Sequence, residues 1–398
     1  MKIKYGSLQY LTLLIYLCVL SANQTVSGID QALQWISFFA FVGASLLTHL
    51  RNGFYITGIS KWYLFFMVFS LSSCLWALYS RSEVFFYQNR MIQLLAMTVC
   101  IPLNIKSDND IERCLNIVLV ALSYAAILLL IRTPFSAWGT ERMGAAVGLD
   151  ANVLGTRMAV GLLISLYFLS QKKQKKYIVL IIVMGLLTLL SGSKKALIMI
   201  IMGICLMEYF NSKSERISKI LGHVIITIIA LCIGWYLIFN VEIFYSVLGT
   251  RIERTVNYIL SGGTTFDNST RERQYYISIA KELFKQNPIL GVGLNNFRAY
   301  IGRIGYSHVA YSHNNYWELL SCLGIVGTFI FYSMHLYLGM KSWKLLQNRS
   351  NPLTVLMTVL LILYVVCDYG AVTYMNIFQY IIITFAYLHI KNQDRMEN

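Results

Sequence analysis

Two ionisable side chains in this sequence stand where an apolar residue would be cheaper, Arg273 and His313. Ser269-Thr270-Arg271-Glu272 has capping-box spacing, and Asn287-Pro288 ends what it starts, so the spacing predicts a helix over about 270–287. On a 3.6-residue period, Arg273, Tyr276, Ile277, Ala280 and Phe284 share one apolar stripe, while Arg271, Lys281 and Lys285 point elsewhere. A guanidinium on the inward stripe needs a partner. It is either a snorkelling or salt-bridged arginine, or a ligand for an anion in a membrane cavity.

His313 lies in Tyr311-Ser312-His313-Asn314, just before an apolar run whose first turns also carry Trp317 and Glu318. Polar groups at such a boundary are expensive and read as functional by default. His308, His313 and Glu318 would be a metal set, but the spacing puts the two histidines on different helix faces, so no metal or other cofactor is expected. Gly291-Val292-Gly293 lacks the strand before and helix after of a dinucleotide loop and is read as a tight turn.

The elements that must position these groups are membrane helices. Of the 398 residues, 57% are hydrophobic and 13% charged, about half the roughly 25% charge of ordinary soluble domains. The net charge of +15 (33 basic minus 18 acidic) is scattered in short clusters between apolar runs, which excludes a nucleic-acid-binding protein. Four prolines suit a helical bundle whose backbone polar groups are satisfied internally. The eight cysteines lie apart in or beside apolar runs and form no CxxC pair, so neither a disulfide framework nor a zinc site is indicated.

Apolar stretches near 8–22, 31–50, 62–79, 84–103, 113–131, 151–170, 178–192, 195–210, 220–239, 315–337, 353–368 and 375–390 predict an all-α polytopic membrane protein of about twelve spans. The two short ones flanking Ser191-Gly192-Ser193 are candidates for a broken turn. Basic residues concentrate in alternate loops, which orients both termini to the cytoplasm. The expected organisation is nine spans in 1–240, a large extracytoplasmic loop over 241–312 containing the amphipathic helix, and three spans with a cytoplasmic tail in 313–398. That loop holds eight Lys and Arg residues against five Asp and Glu, a balance of +3, so an anionic ligand fits there.

Two cations fall inside predicted spans, Arg90 and Arg157. An arginine at mid-bilayer costs at least about 2.5 kcal/mol, so each is read either as a substrate contact or as internally paired. Asp108-Asn109-Asp110 matches the metal-binding triplet of nucleotide-sugar transferases, yet Ser107 with Asp110 also fits a capping box, the preferred reading.

Taken together these residues resemble the bacterial O-antigen ligase/polymerase family. His313-Asn314, nine residues, then Gly324-Ile325-Val326-Gly327-Thr328-Phe329 is similar to its histidine before a Gly-x-x-Gly helix. Arg273 stands fifteen residues before Pro288-Ile289-Leu290-Gly291-Val292-Gly293, similar to the family's arginine before a Pro-x-x-Gly-x-Gly turn. Asp150-Ala151-Asn152 resembles its Asp-Pro-Asn helix start, and Leu71 to Ser80 its Leu-Ser-x-x-Trp-Ser span end. One departure is that the family's Ser-Arg-Gly-Ala segment reads Ser193-Lys194-Lys195-Ala196 here, which keeps charge but loses the planar fork.

The resemblance implies inverting, metal-independent transfer of a glycan from an undecaprenyl-diphosphate carrier to a sugar hydroxyl, outside the cytoplasm at the inner membrane. Arg273 and Lys194 are the implied diphosphate contacts, with Arg271 and Lys195 behind them. His313 is the implied base and Asn314 a substrate contact beside it. A polymerase of O-antigen, capsular or exopolysaccharide repeat units is favoured by Asn315-Tyr316-Trp317-Glu318. An O-antigen ligase acting on lipid A core is the alternative. The partners are then the lipid-linked donor, an acceptor glycan lipid and membrane lipid, and control of chain length would need a regulator protein. A flippase or transporter would show paired halves, and the long loop has no counterpart.

Overall fold

The computed structural model describes residues 5–22, 28–52, 55–212, 217–262, 268–305, 311–348 and 351–397. The helices are α1 (Tyr5–Ala22), α2 (Gly28–Asn52), α3 (Gly58–Ser72), α4 (Arg81–Val84), α5 (Gln88–Cys100), α6 (Asp108–Arg132), α7 (Ala151–Lys172), α8 (Lys175–Leu190) and α9 (Lys194–Ser212). They continue as α10 (Ile217–Asn240), α11 (Glu242–Phe244), α12 (Thr250–Leu260), α13 (Asn268–Gln286), α14 (Asn296–Arg303), α15 (Asn315–Asn348), α16 (Pro352–Cys367) and α17 (Ile377–Glu397). No strand occurs among the described residues beyond an isolated bridge between Trp138 and Glu141.

Against about twelve expected spans, seven described helical stretches are long and apolar enough to cross a membrane. An eighth is reached if Val224–Asn240 and Glu242–Leu260, bent by 83°, count as one. Length accounts for two of the four others: α8 has 16 residues and the apolar part of α1 is Ser7–Ala22, both short of the roughly 20 a perpendicular crossing needs, whereas α9 and α17 have 19 and 21 residues.

The chain divides into two compact units. The first comprises Met1–Gly53, Asn104–Phe266 and Trp343–Leu363. In it α1 packs on α2 and α6, and α7 is surrounded by α6, α8 and α9. The long run of fully buried residues in α7, from Leu154 through Met158, Leu163 and Phe168, follows from having neighbours on every side. The helix begins because the Asp150 carboxylate accepts the Asn152 and Val153 amides at 2.8 and 3.4 Å. In α6 the predicted Ser107–Asp110 capping box forms, which occupies the carboxylate of the Asp-x-Asp triplet.

The second unit comprises Phe54–Leu103, Asp267–Ser342 and Tyr364–Asn398. Here α5 packs against α3 and α17, and rings fill the core: Tyr63 on Tyr380 at 5.0 Å and Phe66 on Phe331 at 5.2 Å. The Trp62 indole donates to the Ile330 carbonyl at 2.7 Å, tying α3 to α15.

Candidate active site

The site of the second unit grows from a break in α15. Gly324 has φ +65° and ψ −169°, a backbone region closed to side chains, so the helix is interrupted there. The loop after α13 fills the break. Ile325 and Val326 amides donate to the Pro288 and Ile289 carbonyls at 2.9 and 3.3 Å, and Val292 and Gly293 amides donate to the Ser321 and Cys322 carbonyls at 2.9 and 2.8 Å. Close approach requires glycine on both sides. A Cβ on Gly324 would lie 2.2 Å from the Ile289 oxygen, and one on Gly291 2.4 Å from the Cys322 carbonyl carbon.

The far side of this loop is held by the segment after α3. Trp76 Nε1 donates to the Leu290 carbonyl at 3.0 Å, and Leu294 N–H to Ser73 Oγ at 2.8 Å. Buried Asn296 accepts the Tyr79 and Ser80 amides at 2.9 and 2.7 Å and donates back to the Ser80 carbonyl. Three sequence pieces, 71–80, 288–293 and 324–327, therefore form one clamp.

From this clamp α13 runs back towards its amino terminus, ending at Asn287-Pro288 because proline disfavours helix in the residue before it. Asn268 is already helical, so Ser269 sits inside the first turn rather than capping it. Along the inward stripe Tyr276, Ala280 and Leu283 are buried and Arg273 is half-buried. Leu283, not Phe284, continues the stripe; Phe284 turns to the Trp317 ring at 6.1 Å, and Lys281 stands 5.2 Å over the same ring. The Tyr276 hydroxyl donates to Glu272 at 3.2 Å, and burial, reinforced by Glu272, raises its pKa above the ordinary value of 10.0. Arg273 makes no hydrogen bond or ion pair with the described residues.

His313 sits in a turn with φ +56°, left-handed and uncommon for a residue with a side chain. Its ring is stacked near Tyr276 at 6.1 Å and tilted against Tyr311 at 4.5 Å. Arg273 is one helical turn from Tyr276 on the same stripe, so the face bearing Arg273 is the face that addresses His313. Buried Glu318 accepts the Ser312 amide at 2.8 Å. Asn314, read from sequence as a substrate contact, has its side chain engaged within the fold: Oδ1 accepts the Trp317 amide at 3.1 Å and Nδ2 donates to the Tyr369 carbonyl at 3.1 Å.

Below the turn lies a buried carboxylate that sequence reasoning missed. Asp368 accepts from Tyr332 at 2.7 Å, from Asn315 Nδ2 at 3.3 Å and from Thr373 Oγ1. Asn315 Oδ1 in turn accepts the Thr373 and Tyr374 amides at 2.9 and 3.1 Å. Among the other expected site residues of this unit, Arg271 is exposed on α13. Arg90 is half-buried in the first turn of α5 with no hydrogen bond or ion pair to described residues.

Lys194, Lys195 and Arg157 belong to the first unit. Lys194 and Lys195 open α9 after the Ser191-Gly192-Ser193 turn, and Lys194 Nζ contacts Thr255 of α12. Arg157 is buried and donates to the Leu20 carbonyl at 2.9 Å, in the last turn of α1, where a cation satisfies an orphan helix carbonyl. Arg142 had no sequence signal beyond being a loop cation. It donates through Nε to the Ser191 carbonyl at 2.8 Å and through Nη2 to Asn152 at 2.9 Å, binding the turn before Lys194 to the start of α7.

Among the described residues no group of three or more His, Cys, Asp or Glu could hold a metal ion; His308 lies outside them. Apolar helical spans, with a polar turn at His313 packed against the helix that bears Arg273, are those of a polytopic helical membrane protein. Residues 178–332 match the family model described as O-Antigen ligase, which supports the O-antigen ligase/polymerase family for this chain. Members of that family are glycosyltransferase-like enzymes. The matched stretch holds Lys194, Lys195, Arg271, Arg273, His313 and Asn314 and stops before Asp368. No curated protein matches the chain.

Proposed function

We propose that this protein joins lipid-linked oligosaccharide repeat units into a longer polysaccharide at the outer face of the bacterial inner membrane. The donor is an undecaprenyl-diphosphate glycan and the transfer inverts the anomeric carbon. The observation that carries the reading is the approach of the Arg273 stripe, through Tyr276, to the His313 ring at 6.1 Å. An acceptor hydroxyl attacks the anomeric carbon, its proton passes to His313, and the carbon–oxygen bond to the diphosphate breaks. The leaving group gains negative charge, which Arg273 neutralises from a position where it makes no hydrogen bond or ion pair with the described residues. Arg271 and Arg90, in the same unit as His313, are further candidates for holding the donor's phosphates, and Lys194 and Lys195 are the candidate phosphate contacts of the first unit. Arg157 and Asn314 are assigned structural roles, the first by its bond to Leu20 and the second as a helix cap.

Transfer to lipid A core, the ligase reaction, is the second reading, favoured by the description of the matched family. The test is His313→Ala in a strain assayed for surface glycan length, with a loss of about 10²–10⁴ in rate expected for removal of a general base. Missing chain extension with core and single units retained indicates the polymerase. Unextended core with accumulated lipid-linked polymer indicates the ligase. A normal pattern ends the catalytic assignment.

A further inference from the structure

We propose that Glu318 is a positioning residue for His313, acting through the backbone of the turn. This rests on the reading of His313 as the base. A side chain at φ +56° is held against its own preference, so neighbouring contacts must over-determine the turn. Three of them do. The Ser312 hydroxyl donates to the Asn314 carbonyl at 2.8 Å, bridging across His313, and Asn314 is fixed by its cap and by Tyr369. On the other side of His313, the Ser312 amide has one acceptor, Glu318 Oε2 at 2.8 Å.

Glu318 is 1% exposed, and its second oxygen faces the Cys322 thiol at 3.9 Å. A carboxylate in that setting is costly to bury, whereas an apolar residue in the first turn of α15 would pack without cost. What the carboxylate supplies is a strong, charge-assisted acceptor for a backbone amide adjacent to the imidazole. Releasing that amide frees Ser312 to rotate, and with it the left-handed His313 backbone that sets the ring between Tyr276 and Tyr311. Displacement by an ångström at a reacting group costs about 10²-fold in rate.

The experiment uses the full-length protein in nanodiscs, with an undecaprenyl-diphosphate oligosaccharide as donor. Amide hydrogen exchange across Tyr311–Trp317 is measured alongside kcat and donor KM for Glu318→Ala, Glu318→Gln and His313→Ala. Glu318→Ala is expected to speed exchange at Ser312 by about tenfold or more, the worth of a hydrogen bond to a charged acceptor, and to lower kcat by about 10²-fold with KM little changed. Glu318→Gln keeps a carbonyl oxygen for the amide and is expected to restore both. Unchanged exchange in Glu318→Ala overturns the proposal, as does a glutamine variant no better than alanine with KM rising in step. Full activity in His313→Ala removes the base and leaves the exchange measurement to decide whether Glu318 holds the turn.

Discussion

Gly324→Ala should damage the protein far more than its size suggests. The glycine's φ of +65° and ψ of −169° lie where a Cβ costs about 1–3 kcal/mol in backbone strain alone. The added carbon would stand 2.2 Å from the Ile289 oxygen, 2.3 Å from its carbonyl carbon and 2.6 Å from the Leu290 nitrogen, all backbone atoms that cannot rotate aside. Relief requires the 288–290 loop to withdraw, which breaks the Ile325 and Val326 hydrogen bonds at about 0.5–1.5 kcal/mol each. The sum is about 2–6 kcal/mol. Gly339, on the same helix with nothing within 4 Å of its would-be Cβ, is the internal control, where alanine should be neutral or gain up to about 1 kcal/mol. Thermal unfolding of the detergent-solubilised protein, followed by tryptophan fluorescence, compares the two. Trp76 bonds to the displaced loop and reports on it directly. At about 2–4 °C per kcal/mol for a unit of this size, Gly324→Ala should melt at least about 4 °C lower than the parent. A melting temperature within a degree of the parent, or equal damage at Gly339, would refute the clamp.

Arg142→Lys should destabilise the first unit by about 1–3 kcal/mol, because one ammonium cannot serve both Ser191 and Asn152 as the guanidinium fork does; a variant melting like the parent contradicts the bridge. Asp368→Asn turns an amide donor towards three donors, Tyr332, Asn315 and Thr373, so it should lose stability even though the size is conserved. Limited proteolysis reads this, with parent-like resistance as the contrary outcome. Tyr276 is held protonated in the fold above its ordinary 10.0, whereas the unfolded chain gives up that proton near 10. Its contribution is therefore complete below pH 10 and declines as pH rises from 10 through the folded value, so Tyr276→Phe should flatten the alkaline loss of stability above about pH 10. Equal slopes for parent and variant in melting temperature against pH would count against it.

Local features of this fold were legible in the sequence because their causes are local. A 3.6-residue stripe and a proline stop predicted a helix over 270–287, and α13 spans Asn268–Gln286. The Ser107–Asp110 box and the Asp150 start of α7 likewise need only neighbours along the chain. Arg157, left open between substrate contact and internal pairing, found its partner 137 residues away at Leu20. Arg142 and Asp368 were invisible for the same reason: each is defined by acceptors or donors that periodicity does not bring into register. Hydropathy located the apolar stretches but not the 83° bend after Asn240, since a bend depends on packing and not on the mean polarity of a window.

The spacing of the motifs themselves has a mechanical explanation. Both arms of the site end at the clamp: α13 arrives there at Asn287, and the first part of α15 arrives at Gly324. Eleven residues separate Tyr276 from Asn287, and eleven separate His313 from Gly324. At about 1.5 Å per helical residue the α13 arm is about 16–17 Å long, and the α15 arm about 14 Å plus the two non-helical residues before it. Two arms of similar length, pinned together at one end by four backbone hydrogen bonds, bring their other ends to a similar height, where the Tyr276 and His313 rings lie 6.1 Å apart. Arg273 lies one helical turn beyond Tyr276, on the side of it away from the pinned end. The glycines at 291 and 324 thus lie away from the proposed site and yet set its geometry, because the clamp they permit is the common origin from which the Tyr276 and His313 side chains are measured.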